Sequence, residues 1–163
     1  MENFSLPPGL DEMDLKILRL LQHDATLTHK ELAAELGLTI TPVYERVRRL
    51  EREGFLQKYV ALVPPGKLGL GLVAFCNVSL VQHSTPLLKL FEEKVGALGE
   101  VVTCYHIAGQ FDYLLKIIVP DMDAYQRFIV DKLAALDNIR QVQSSFVMTE
   151  VKYSTALPLG ENL

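Results

Sequence analysis

Four arginines and three glutamates are packed into "ITPVYERVRRLERE", residues 40–53. At 100° per residue, Ile40, Val43, Val47 and Leu50 form one apolar stripe, which should face a core. Thr41, Glu45, Arg48, Arg49 and Arg52 fall on the opposite side, with Pro42 and Tyr44 on the flanks. That polar face carries the chemistry of base reading: Arg48 can fork onto a guanine, Glu45 can accept from a cytosine amine, and Thr41 can touch a thymine methyl. Arg46, Arg49 and Arg52 suit phosphates, which position a protein on a duplex without reading its sequence. By itself the alternating sign of "ERVRRLERE" is the pattern of a solvated helix face. Its neighbours decide the matter.

A second cluster is "HIAGQFDYLL", residues 106–115, where an apolar run stops, turns through Gly109-Gln110-Phe111-Asp112 and resumes at Tyr113. An acid lodged between Phe111 and Tyr113 can hold an ammonium group against an apolar wall, while backbone N–H groups around Gly109 can hold a carboxylate. Together those features suit a zwitterion. The plainer alternative is a hairpin whose Asp112 caps its own backbone.

The elements that position these residues are legible. Asp11 stands as N-cap of a first helix carrying Leu10, Met13, Ile17, Leu18, Leu20 and Leu21 at helical spacing, with Asp14 in its first turn. "THKELAAELG" opens with Thr28 and Glu31 in capping-box spacing and closes on Gly37. The third helix begins after only Gly37-Leu38, with Thr39 as N-cap and Pro42 in its first turn. Two helices joined so tightly must cross steeply, which is the helix-turn-helix arrangement. "FLQKYVALV", residues 55–63, is expected to be a strand packed behind the helices as a wing.

"PPGKLGLG", residues 64–71, is the mid-chain Pro/Gly-dense stretch and the expected hinge between a DNA-binding domain (1–63) and a second domain (72–163). In the latter, residues 72–82 alternate as a strand with Leu72, Ala74, Cys76, Val78 and Leu80 inward. A helix from Thr85-Pro86 buries Leu87, Leu88, Phe91, Val95 and Leu98. Strands are expected over 101–108 and 111–119, then a helix after Pro120-Asp121 burying Met122, Tyr125, Phe128, Ile129, Leu133 and Leu136, then a long strand over 140–153. The order β-α-β, turn, β-α-β predicts an α+β sandwich of ferredoxin-like type. Val73, Phe75, Asn77, Ser79 and Val81 make the other sheet face too apolar to stay wet, so a homodimer packed through it is expected.

Composition narrows the classes further. At 49% hydrophobic residues the chain can bury a core, and its net charge of −4 argues against nonspecific coating of nucleic acid. The segments on either side of Val63 each carry eight basic and ten acidic residues, so local clustering must carry any DNA contact. No apolar run approaches the ~18 residues of a membrane span, and the N-terminus lacks the pattern of a secretory signal. Cys76 and Cys104 read as two buried, reduced thiols of a cytoplasmic protein. The scattered His23, His29, His83 and His106 give no metal site, and no cofactor is expected.

From "LDEMDLKILRLLQHDATLTHKELAAELGLTITPVYERVRRLEREGFLQKY" through "CYHIAGQFDYLLKI" to "VKYSTALPL", the chain resembles the Lrp/AsnC (feast/famine) transcription regulators over residues 10–159. The resemblance implies a winged helix-turn-helix followed by a ligand-sensing domain, with dimers assembling into octamers or hexadecamers and an amino acid as effector. It also implies that a Gly-x-x-Asp turn binds the effector between dimers. Gly109 and Asp112 match it, with Gln110 and Phe111 between them and Ala108 and Tyr113 on either side. A neighbouring subunit would complete the pocket with Ile139, Arg140 and Gln141. Relatives often carry a hydroxyl residue where this chain has Ala108. Two rival classes share the layout. A tetrapyrrole decarboxylase would use His106 and Arg140, and a stand-alone sensor would not touch DNA.

Overall fold

The computed structural model describes residues 8–159; the first seven and last four residues, assigned above to the two domains, lie outside the described residues. The chain divides into two compact units: residues 8–62 with 152–159, and Val63–Val151.

The first unit is built on α1 (Glu12–His23), α2 (His29–Leu36) and α3 (Ile40–Arg52). Reciprocal capping boxes open α1, from Asp11 and Asp14, and α2, from Thr28 and Glu31. Gly37 closes α2 in the left-handed region at φ 65°, which only glycine adopts without strain, and the Leu38 N–H returns to the Ala33 carbonyl at 2.9 Å. Leu15, Ile17, Leu18, Leu21, Leu32, Ala33, Val43, Val47 and Leu50 form the core. Each large aliphatic side chain buried there contributes about 1.5–3 kcal/mol.

Three expectations for this unit need correction. Ile40 is 50% exposed, because the first residue of α3 lies beyond the end of the core that its stripe enters at Val43. Thr39 occupies the N-cap position, but its hydroxyl makes no capping bond. Residues 55–63 form no strand: Leu56 packs on the core and its N–H reaches the Leu50 carbonyl, and after it the chain runs without a ladder partner. A strand exists only where another backbone pairs with it, and among the described residues none does. The tail, by contrast, returns to this unit. Leu159 packs against the core, its carbonyl accepts from Arg19, and the Leu157 N–H donates to Gln22.

The second unit is a four-stranded antiparallel sheet in the order β2-β3-β1-β4, from β1 (Leu72–Leu80), β2 (Val101–His106), β3 (Tyr113–Val119) and β4 (Ile139–Phe146). Helix α4 (Thr85–Gly96) follows β1 and α5 (Met122–Arg127) follows β3, continuing as a π-helical segment, Phe128–Leu133. Ala74, Cys76, Val78 and Leu80 alternate into the core, pairing with Tyr113, Leu115 and Ile117 of β3 on the same face. Phe91, Val95, Tyr125, Phe128 and Leu133 close the layer from the helices. This is the ferredoxin-like sandwich.

Its details differ from expectation at four points. β4 ends at Phe146 instead of 153, because after one last bond, from the Val147 N–H to the Val73 carbonyl, β1 has no ladder to offer before Leu72. The hairpin strands are shorter than 101–108 and 111–119, since Ala108 to Asp112 form the turn. Met122 is 50% exposed, at the first turn of α5, where the helix starts outside the core. Cys76 is buried, but Cys104 on the edge strand β2 is exposed, because an edge has a neighbour on one side only. The open sheet face carries Val73, Phe75, Asn77 and Ser79, all half-buried, and an exposed Val81.

Candidate DNA-reading helix and effector turn

Along α3 the polar face divides by depth. Thr41, Pro42, Tyr44, Glu45, Arg48 and Arg52 are exposed, and so is Thr39 just before the helix. Arg48 reaches Glu51 at 3.5 Å and Arg52 reaches Glu53 at 3.6 Å, with 63% and 72% of their side chains accessible. Ion pairs this open are worth little, so both guanidiniums can exchange them for another anion. The Tyr44 ring meets His29 edge-on, with centroids 5.2 Å apart, which ties the flank of α3 to the start of α2.

Arg46 and Arg49, expected on phosphates, are turned toward α1 and paired with its carboxylates. Arg46 holds Asp11 at 2.6 Å and Asp14 at 2.8 Å; Arg49 pairs with Asp14 and donates to the Gly9 carbonyl at 3.4 Å. Asp14 is fully buried and also accepts the Asp11 N–H that completes the capping box. A buried carboxylate needs this many partners, since an unpaired buried charge is strongly destabilising. Burial opposes ionisation of Asp11, yet the Asp14 amide and the Arg46 guanidinium outweigh it and hold its carboxyl below the usual carboxylate range. Two of the four arginines therefore fasten α3 to α1 and aim the other two outward. Sequence spacing put Arg49 on the polar face but could not show that a carboxylate 35 residues away would claim it.

In the second unit the turn lies at one end of the sheet. Gly109 has φ 150°, outside the range that a side chain tolerates easily, and Ala108, Gly109 and Gln110 are exposed. Phe111 is half-buried. Asp112 is anchored on every side: its N–H donates to the Val78 carbonyl at 2.9 Å, and its own carbonyl accepts from Ile107 at 2.8 Å. Of its carboxylate oxygens, Oδ2 accepts the Leu80 N–H at 2.7 Å and Oδ1 lies 2.9 Å from His83 Nε2. Desolvation works against the charge, but the Leu80 amide and His83, with His106 nearby, overcome it and lower the Asp112 carboxyl below its ordinary range.

Beside it, β1 is flanked by the start of β4. Leu80 pairs with Ile139 and Ser79 with Gln141, and Asn138 exchanges two 2.8 Å bonds with the backbone of Gln82. One chain thus brings Ala108 to Asp112 and Ile139 to Gln141 to the same end of the sheet, on either side of β1.

Tyr113 does not belong to that rim. It is fully buried on the helix-covered face, its hydroxyl donates to Glu92 at 2.9 Å, and the His106 ring stacks on it at 4.6 Å. The alternation of β3 explains this, because Tyr113 shares a face with Leu115 and Ile117. Burial, with the Glu92 carboxylate, pushes its hydroxyl well above the usual tyrosine range. His83 is the residue that sequence reasoning missed. It falls between a strand and a helix, with no motif around it. His106 and Arg140, the pair a decarboxylase would need, lie on the two opposite edge strands. No group of three metal-ligating side chains occurs, and no helix is long and apolar enough to cross a membrane, among the described residues.

Comparison with known proteins assigns both units. Residues 10–57 match a winged helix-turn-helix DNA-binding family, and residues 73–157 match the Lrp/AsnC ligand binding domain. The Escherichia coli K12 DNA-binding transcriptional activator DecR is 40% identical over 92% of this chain and 99% of its own. The leucine-responsive regulatory protein of the same strain is 41% identical over 92% of this chain and 93% of its own. Among solved structures, a Neisseria meningitidis transcriptional regulator in complex with L-Met superposes with a TM-score of 0.90 at 37% identity, covering 94% of this chain and 99% of that one. An AsnC family regulator from Agrobacterium tumefaciens gives 0.88 at 41% identity, over 92% and 97%. The chain belongs to the Lrp/AsnC family of DNA-binding transcriptional regulators.

Proposed function

We propose that the protein reads duplex DNA through the outward face of α3, with Arg48, Glu45 and Thr41 at base edges, Arg52 on phosphate, and Thr39, Pro42 and Tyr44 along the groove wall. The observation that carries this reading is the division of the arginines. Arg46 and Arg49 are held by Asp14, while Arg48 and Arg52 stand exposed on loose pairs. One such helix makes few phosphate contacts. Affinity then comes from several copies engaging half-sites about 34 Å apart, or multiples of that spacing. The copies pair through the open sheet face of Val73, Phe75, Asn77 and Ser79, and the dimers assemble further to an octamer or higher.

The same reading gives the protein an amino-acid effector, bound at a contact between dimers. Asp112 would hold its ammonium group, the backbone around Ala108, Gly109 and Gln110 its carboxylate, and Phe111 would form the apolar wall. Ile139, Arg140 and Gln141 would close the site. The L-Met complex of the Neisseria meningitidis relative supports this ligand class. Binding there would shift assembly by its differential affinity for the two states, typically about 1–3 kcal/mol. Mobility shift on the DNA upstream of the protein's own coding sequence tests the DNA arm. Wild type should give a sequence-specific shift that Arg48→Ala weakens about 5- to 150-fold; an unchanged shift would refute the assignment of α3.

A further inference from the structure

Asp112 would meet an incoming ammonium group with one partner already on each of its oxygens. Its Oδ2 is held by the Leu80 amide at 2.7 Å, a donor fixed in the backbone at the end of β1. Its Oδ1 is occupied by His83 Nε2 at 2.9 Å. The two holds differ in kind. The amide is fixed in the sheet, whereas the His83 side chain is 56% exposed, lies in the connection between β1 and α4, and can rotate into solvent. A protonated imidazole is also a near mimic of the group that must replace it: a cationic N–H donor.

We propose that His83 is a specificity- and affinity-setting residue that competes, when protonated, with the effector's ammonium group for the Oδ1 atom of Asp112. This rests on the effector reading given above and adds a regulatory property to that site. Protonated His83 is a charged competitor; neutral His83 is a weaker one that yields the oxygen. Effector affinity should therefore be lower where His83 is protonated than where it is neutral. Loss of the Asp112 charge and a proton on His106 would act in the same direction, so only the comparison with His83→Ala isolates the part that His83 plays. His106 faces Asp112 at longer range from β2 and is stacked on Tyr113, and its ring nitrogen is 4.0 Å from Glu92, which also accepts the Tyr113 hydroxyl. Protonating His106 would leave the Oδ1 contact in place.

The experiment is calorimetry of the full chain against each of the twenty L-amino acids at about pH 6 and about pH 8, with His83→Ala and Asp112→Ala alongside. The amino acid that binds should bind wild type about fivefold more weakly at the lower pH, the factor that one exposed ion pair supplies. His83→Ala should bind it more tightly than wild type at the lower pH and with little difference between the two; Asp112→Ala should not bind it. In parallel, the His83 ring resonances of wild type should shift on saturation with that amino acid, as the ring leaves Asp112. Equal pH dependence in wild type and His83→Ala, or His83 resonances that stay in place on saturation, would overturn the competition while leaving effector binding intact. No binding by any amino acid at either pH would remove the effector reading and the competition with it.

Discussion

Asp14 in the helical unit and Asp112 in the sheet unit are both carboxylates held by their own chain, and the contrast between them separates scaffold from site. Asp14 is fully buried, takes two guanidiniums and a backbone N–H, and leaves no direction from which a ligand could approach. Asp112 keeps 23% of its side chain accessible, and one of its two oxygens is held only by an exposed histidine. A carboxylate ringed by fixed partners is structural. A carboxylate with one exchangeable partner can do chemistry with a solute. The same logic sorts the arginines of α3, where Arg46 and Arg49 are fixed and Arg48 and Arg52 are exchangeable.

The largest effect should follow from breaking the fixed side. Asp14→Ala takes the carboxylate partner from Arg49, leaves Arg46 only Asp11 and removes half of a capping box, so the helical unit should lose about 1.5–3 kcal/mol, read as a lowered midpoint in urea unfolding followed by helical circular dichroism. A midpoint unchanged from wild type would show the ion cluster to be ornamental. Arg48→Ala should do the reverse. It should cost about 1–3 kcal/mol of specific DNA affinity while stability stays within about 0.5 kcal/mol of wild type. Arg46→Ala in parallel should lower stability first, and equal profiles for the two variants would erase the distinction.

A smaller effect concerns acid. The Asp11 and Asp112 carboxyls are both depressed in the folded chain. The unfolded state therefore takes up protons first, and these groups contribute stability that is present above the unfolded carboxylate range and lost as pH falls through their folded values. Unfolding midpoints measured from neutral pH downward should fall across that window, and Asp112→Asn should flatten the part belonging to the sheet unit. Smallest is a pair of threonines. Thr28→Ala removes a formed capping bond and should cost about 1 kcal/mol, while Thr39→Ala removes none and should stay within about 0.5 kcal/mol. Equal losses would mean that the Thr39 hydroxyl caps α3 in solution.

Local signals were the legible ones. Asp11, Thr28 and Gly37 marked helix ends because capping is settled within three or four residues, and the alternation of β1 marked its core face. What depended on distant chain was hidden. The claim of Asp14 on Arg46 and Arg49, the meeting of Asp112 with His83, and the return of Leu159 to the helical core join residues tens of positions apart. The misread strands at 55–63 and 147–153 have a related cause. β-forming composition there is real, but a ladder needs a partner, and Tyr59, Val60, Leu62, Met148 and Val151 remain exposed without one among the described residues. Tyr113 was misplaced for a simpler reason: the turn motif drew attention to it, while its register with Leu115 already put it inside.

The most direct test of the outward-facing arginines is a salt titration of binding to operator DNA by fluorescence anisotropy, for wild type and an Arg48→Ala/Arg52→Ala double variant. Affinity of the wild type should fall steeply and linearly on a logarithmic scale, and the double variant should lose about one unit of slope for each phosphate contact removed per bound helix. A flat wild-type response, or identical slopes for both proteins, would contradict the placement of α3 in the groove.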